Sequence, residues 1–166
     1  MAKVLVIRLS AIGDVAMTVP VIYSAAKANP EDSFTVLTQA FLMPLFMNRP
    51  PNVEVIGINT KGAEKGLIGL LKFISALLKF DFDVILDLHN VIRTIIICTF
   101  FRLNGKRVFV LDKARKERKR LTAIKGKRLY PLRPVIVRYA DVFRAAGLNY
   151  TCLLYTSPSP RDRSLS

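Results

Sequence analysis

Ser10, Gly13 and Asp14 place a hydroxyl, a residue without a side chain and a carboxylate in one short loop, Ser10-Ala-Ile-Gly-Asp14, directly after an apolar run. A carboxylate so placed has two uses. It can cap the helix that follows by accepting a backbone N–H, an arrangement the helix dipole favours. It can also stand at the mouth of a site and take a proton from a substrate hydroxyl. The two roles are compatible. Gly13 serves either a positive φ or the close approach of a ligand to the backbone, and a single glycine does not separate these. Neither the G-x-G-x-x-G of a dinucleotide-binding turn nor the G-x-x-x-x-G-K-[ST] of a P-loop occurs in the loop.

The elements around this loop follow from hydrophobic pattern. Val4 to Ile7 is continuous, apolar and largely β-branched, as expected of a strand buried on both faces of a parallel sheet. Val15, Val19 and Ile22 then follow at helical spacing. Strand, tight loop and helix in this order put the loop at the carboxyl edge of an open α/β sheet, where ligands bind. Further along, Phe34–Thr38 and Val53–Ile58 read as strands, with a short helix over Gln39–Asn48 that contains Pro44. Gly66–Phe80 is the clearest amphipathic helix, with Leu67, Leu70, Leu71, Ile74, Leu77 and Leu78 on one side and Lys72, Ser75 and Lys79 on the other. Packing on the sheet is its ordinary use; contact with an anionic membrane surface is the alternative. Val84–Leu88 is a fourth strand, Ile92–Leu103 a helix, Lys106–Leu111 a fifth strand, and Pro134–Ala146 a helix stopped by Gly147. The expected fold is α/β, a mainly parallel Rossmann-like sheet flanked by helices.

Other residues bound the chemistry. His89 is the only histidine, so a histidine-based metal site or triad must form around it, and a lone histidine is more often structural. Asn90, in the loop after the fourth strand, and Arg93, at the start of the next helix, are better placed to contact a substrate, and Arg93 equally suits capping the loop or facing solvent. Two cysteines set no disulfide framework, which suits a reducing cytoplasm. No run approaches the roughly 20 apolar residues of a membrane span. The strongest compositional feature is charge. Residues 113 to 133 hold ten lysines and arginines against Glu117, a net +9 of the chain's +14. Such a segment is a solvated basic face or a docking site for an anionic partner: a phosphorylated glycolipid, an anionic membrane surface or a nucleic acid. Against base stacking stands the presence of only Tyr130 as an aromatic in that segment.

Several of these segments together resemble glycosyltransferase family 9, the ADP-heptose:lipopolysaccharide heptosyltransferases. Arg8-Leu-Ser-Ala-Ile-Gly-Asp-Val with Pro20 is similar to the family's first strand, loop and helix, and Pro51-Asn-Val-Glu-Val-Ile to its third strand. Asp81-Phe-Asp-Val-Ile-Leu-Asp-Leu-His-Asn-Val-Ile-Arg-Thr resembles its fourth strand and loop, and Val137-Arg-Tyr-Ala-Asp-Val-Phe its later helix. The resemblance runs in order over residues 1 to 150. It implies the N-terminal, acceptor-binding half of a GT-B enzyme, whose donor-binding domain this chain has no room for. It further implies Asp14 as catalytic base, inverting transfer of heptose from ADP-heptose to the lipopolysaccharide core, no cofactor and no obligatory metal. Ser10, Gly13, Asn90, Arg93, Arg115, Arg118 and Arg120 become the expected acceptor contacts. The location implied is cytoplasmic, with peripheral contact at the inner face of the inner membrane, and no nucleic-acid partner. The basic run is denser than the family pattern requires, and Arg133-Pro134 stands where many members carry histidine.

Residues 151 to 166 lack apolar periodicity after Tyr155 and are rich in Ser, Pro and Arg, the composition of a disordered tail. They resemble translated adapter sequence and are expected to be non-native; a flexible linker toward a second domain has the same composition.

Overall fold

The computed structural model describes residues 1–60, 62, 66–113 and 133–150. The basic residues 115, 118 and 120 and the segment 151–166 lie outside the described residues. Within them the chain runs β1 (Lys3–Ile7), α1 (Ile12–Ala28), β2 (Ser33–Gln39), a 3-10 segment (Ala40–Phe46), β3 (Val53–Ile58), α2 (Gly66–Leu78), β4 (Val84–Asp87), α3 (Ile92–Leu103), β5 (Arg107–Val110) and α4 (Val135–Ala145). The five strands form one sheet in the order β3-β2-β1-β4-β5, and every neighbouring pair is parallel.

The centre of the sheet is β1, paired with β2 on one side and β4 on the other, so that Val4 faces Phe34 and Val84 across the ladders. A strand in that position has helices over both faces, which is why Val4, Leu5, Val6 and Ile7 are all apolar and all buried. Their alternation splits the core into two layers. Val4 and Val6 join Val15, Ile22, Phe46, Tyr139 and Phe143 beneath α1 and α4. Leu5 and Ile7 join Leu70, Ile74, Leu77, Ile97 and Phe101 beneath α2 and α3. α4 ends in a Schellman turn, in which Leu148 N–H donates to Phe143 O at 3.1 Å and Gly147 N–H to Arg144 O at 3.0 Å. Gly147 supplies the positive φ of 82° that this turn demands. Just beyond it the chain is pinned to the end of α1: Asn29 Nδ2 donates to Asn149 O at 2.8 Å, and Asn149 N–H donates to Asn29 Oδ1 at 3.1 Å.

Three sequence expectations are refined or changed. The short helix expected after β2 is present as a 3-10 helix over Ala40–Phe46, with Pro44, which has no N–H to give, inside it. It packs so closely on β3 that a Cβ added at Gly57 would lie 2.6 Å from Met43 Sδ and 2.8 Å from Ala40 Cα. On α2 the buried stripe is narrower than the apolar pattern: Leu70, Ile74 and Leu77 are buried, whereas Leu67 and Leu71 are 60% and 37% exposed. A helix lying on a sheet buries one i, i+4, i+7 row, and apolar residues a third of a turn away remain at the surface. The third change concerns the loop after β1. α1 starts at Ile12 with Ala11 as its N-cap and no side-chain cap bond, so Asp14 is not the cap. It lies inside the first turn, and its carboxylate is engaged elsewhere.

Candidate functional site

That carboxylate faces Arg8. Arg8 directly follows β1, and its side chain is 7% exposed. A guanidinium cannot shed its proton in a protein, so a buried one requires acceptors. Arg8 Nη1 donates to Leu88 O at 2.5 Å and Nη2 to Asp14 Oδ2, while the guanidinium carbon stands 5.8 Å from the centroid of the Tyr139 ring. An acceptor for a buried cation takes precedence over a cap that a backbone N–H of α1 can forgo by meeting solvent. Asp14 itself is 42% exposed, and among the described residues only its Oδ2 is engaged. One carboxylate oxygen is therefore fixed and the other is left to the cleft.

The cleft has a volume of about 390 Å³ and is lined by Arg8, Ser10, Ala11, Asp14, His89, Leu111, Lys113, Val135, Arg138 and Tyr139. It lies at the carboxyl edge of the sheet, where β1, β4 and β5 end and α1 and α4 begin, as the general rule for open α/β sheets predicts. The loop after β4 is shaped by Asp87, which is fully buried. Its Oδ1 accepts the backbone N–H groups of His89 and Asn90, each at 2.8 Å, and its Oδ2 accepts the Thr94 hydroxyl at 2.8 Å. These bonds tie the end of β4 to the start of α3 and hold His89 at the cleft wall, with Nε2 3.4 Å from Ser10 Oγ. Burial, followed by the positive charge of Arg8, pushes the His89 pKa down to about 4, so the imidazole is neutral at pH 7. Burial likewise raises the Tyr139 phenol above its ordinary value. Among the described residues no three His, Cys, Asp or Glu side chains come together as a metal site.

The expected site residues are distributed unevenly. Ser10 and Asp14 line the cleft. Gly13 is exposed in the first turn of α1, is not among the positive-φ glycines, and a Cβ there would meet no protein atom within 4 Å; the positive-φ reading is therefore excluded. Asn90 adopts φ 51° and gives its amide to Leu111 O at 3.1 Å, and Arg93 sits in the first turn of α3; neither is among the cleft-lining residues. Residues that the sequence reading did not select fill the cleft instead: Arg8, His89, Lys113, Arg138 and Tyr139. Arg8 carried a legible signal, since a charged residue directly after a doubly buried strand has only the carboxyl edge to occupy.

The chain is similar in structure to three solved glycosyltransferases. It superposes on a glycosyl transferase family 9 protein from Veillonella parvula DSM 2008 with a TM-score of 0.64 and 21% identity, over 89% of this chain and 42% of that one. It superposes on E. coli heptosyltransferase WaaC, solved with ADP, with a TM-score of 0.59 and 21% identity, over 95% and 48%. The third is E. coli ADP-heptose lps heptosyltransferase II, with a TM-score of 0.55 and 20% identity, over 84% and 39%. No protein-family model matches the sequence, and no curated protein matches it. The chain spans less than half the length of each of these three structures. No helix among the described residues is long and apolar enough to cross a membrane. Its five-stranded parallel sheet flanked by helices is the α/β fold found in these GT-B glycosyltransferases.

Proposed function

We propose that residues 1–150 form the acceptor-binding half of an inverting glycosyltransferase that moves heptose from ADP-heptose to the inner core of lipopolysaccharide, with the donor held by a second domain. The observation that carries this reading is Asp14, whose carboxylate has one oxygen on a buried arginine and the other open to a cleft at the carboxyl edge of the sheet. The Arg8 contact orients the carboxylate. As the acceptor oxygen bonds to the anomeric carbon and the bond from that carbon to the diphosphate breaks, Asp14 takes the hydroxyl proton and ADP departs. The cleft is open to solvent and cationic, which suits an anionic acceptor carried at a membrane surface on the cytoplasmic side. The likeness to proteins named as heptosyltransferases supports the choice of sugar.

The test uses the chain joined to a donor-binding domain, with ADP-heptose and a core acceptor. Asp14→Asn should lower turnover by about 10²–10⁴-fold, the usual contribution of a general base, with little change in acceptor KM. Turnover within a few-fold of wild type, when chemistry limits the rate, would remove the catalytic role. Residues 1–150 alone should show no saturable ADP-heptose binding, and micromolar binding by calorimetry would contradict the assignment of the donor to another domain.

A further inference from the structure

We propose that the cleft contains a built oxyanion site, formed by Arg138, the Tyr139 hydroxyl and the N-terminal turn of α4, that holds a phosphate or carboxylate group of the substrate beside Asp14. Its first support is the imbalance of charge: Arg8, Lys113 and Arg138 line the cleft, and Asp14 is the single carboxylate among the lining residues. The second is a set of buried donors that the protein leaves unused. Among the described residues, Tyr139 is 0% exposed and its Oη has no hydrogen-bond partner; Arg138 Nη2 and Arg8 Nε are buried and likewise unpartnered there. Buried polar atoms are paired in the great majority of cases, because an unmade bond costs about 1–3 kcal/mol. Three such donors on residues of a single cleft are what a site for a multiply accepting anion looks like before the anion arrives.

The third support is the backbone. α4 has 11 residues, its N-cap is Pro134 without a side-chain cap bond, no acid lies in its first turn, and Val135 lines the cleft. The first N–H groups of a helix have no partner within it, so they and the positive dipole end add to the side-chain donors. A phosphate or carboxylate is the kind of group that such donors hold, and the arginine fork suits either. The inference rests on the acceptor-cleft reading only for the identity of the molecule that carries the anion. The site itself can be read with inorganic ions and no sugar, so failure of the glycosyl-transfer reading and failure of this one are separable.

His89 provides the readout. It is the only histidine, so each of its two carbon-bound ring protons gives one unambiguous NMR signal, and it lines the same cleft. Its depressed pKa reflects burial and the nearby Arg8 and Lys113, opposed by Asp87 and Asp14. An anion bound beside those cations offsets them and raises it. The chain is titrated with inorganic phosphate, acetate or chloride at matched ionic strength. Phosphate or acetate, whichever matches the natural group, should saturate at millimolar concentration and move the His89 pKa upward from about 4. Arg138→Gln should weaken that binding by about tenfold or more, and Tyr139→Phe by a smaller but measurable factor. Tyr139→Phe keeps the ring beneath Arg8 and removes a hydroxyl that makes no bond, so its melting temperature should equal or exceed that of wild type. It keeps the experiment decisive if Arg138→Gln does not fold. Saturable binding of either oxyanion that Tyr139→Phe weakens supports the site. No saturation by either, or saturation indifferent to Tyr139→Phe, shows an adventitious ion only and overturns it.

Discussion

Replacing Asp14 by Asn should destabilise the fold as well as alter chemistry, and the size of that effect can be worked from the Arg8 contact. Removing one partner of a fully buried ion pair costs about 3–5 kcal/mol, whereas an exposed pair is worth about 0–1 kcal/mol. Here the arginine side chain is 7% exposed and the aspartate 42%, so the cost lies between these limits. The asparagine carbonyl can still accept from Nη2, but without charge, which leaves a loss of about 2 kcal/mol. For a domain of this size that corresponds to a drop of about 4–8 °C in Tm. The assay is urea unfolding of wild type, Asp14→Asn, Arg8→Met and the double variant. In the Arg8→Met background the buried charge is gone and Asp14→Asn should cost almost nothing, giving a coupling of about 2 kcal/mol. Half-molar salt should leave that coupling largely intact, because the arginine is shielded from solvent. A coupling below about 0.5 kcal/mol would refute the reasoning, since the pair would then behave as a surface contact.

Three further outcomes are expected. Thr94→Val removes the hydroxyl that donates to buried Asp87 Oδ2 and should cost about 1.5–3 kcal/mol, the range for a hydrogen bond to a charged group, measured by denaturant unfolding. Because the folded His89 pKa is pushed down from 6.5 to about 4, the neutral imidazole contributes stability that is fully present above pH 6.5 and is lost as pH falls toward 4. Replacing His89 with Gln should flatten that part of the stability profile, and a profile identical to wild type would contradict the burial. Gly57→Ala should cost about 1–3 kcal/mol by overpacking, because its Cβ would press on the Ala40 backbone at 2.8 Å; a melting temperature equal to wild type would show that the 3-10 segment yields.

Most of the framework was legible in the chain because strands buried on both faces must be written as apolar runs. β3 and α3 fall on the residues expected, and β1, β2, β4, β5 and α4 within one residue at each end. Pattern failed where it does not encode the partner. The apolar residues of α2 show its helical phase, yet how wide a stripe the sheet covers depends on what else packs there. Asp14 and Ser10 were legible as cleft residues because loops at carboxyl edges are. That Asp14 pairs with Arg8 rather than capping α1 depends on the depth of Arg8, which no local signal reports. Arg138, Tyr139 and His89 reach Ser10 and Asp14 across gaps of about 80 to 130 residues. Their convergence follows from the placement of β4 beside β1 and the packing of α4 on α1, relations that periodicity within a segment cannot state.

The clasp between Asn29 and Asn149 and the seat of Tyr139 beside Arg8 have a consequence for the order in which function emerges during synthesis. Among the described residues the last strand of the sheet ends at Val110, whereas the cleft wall is finished by the later α4, and the Asn29–Asn149 clasp adds to the packing of α4 on α1. A ribosome-bound chain halted after β5 would have the five described strands and none of the wall that α4 contributes. Ligand capture would then report arrival of the last helix rather than collapse of the core, and stalled chains of increasing length should gain binding in one step as residues 135 to 149 clear the exit tunnel.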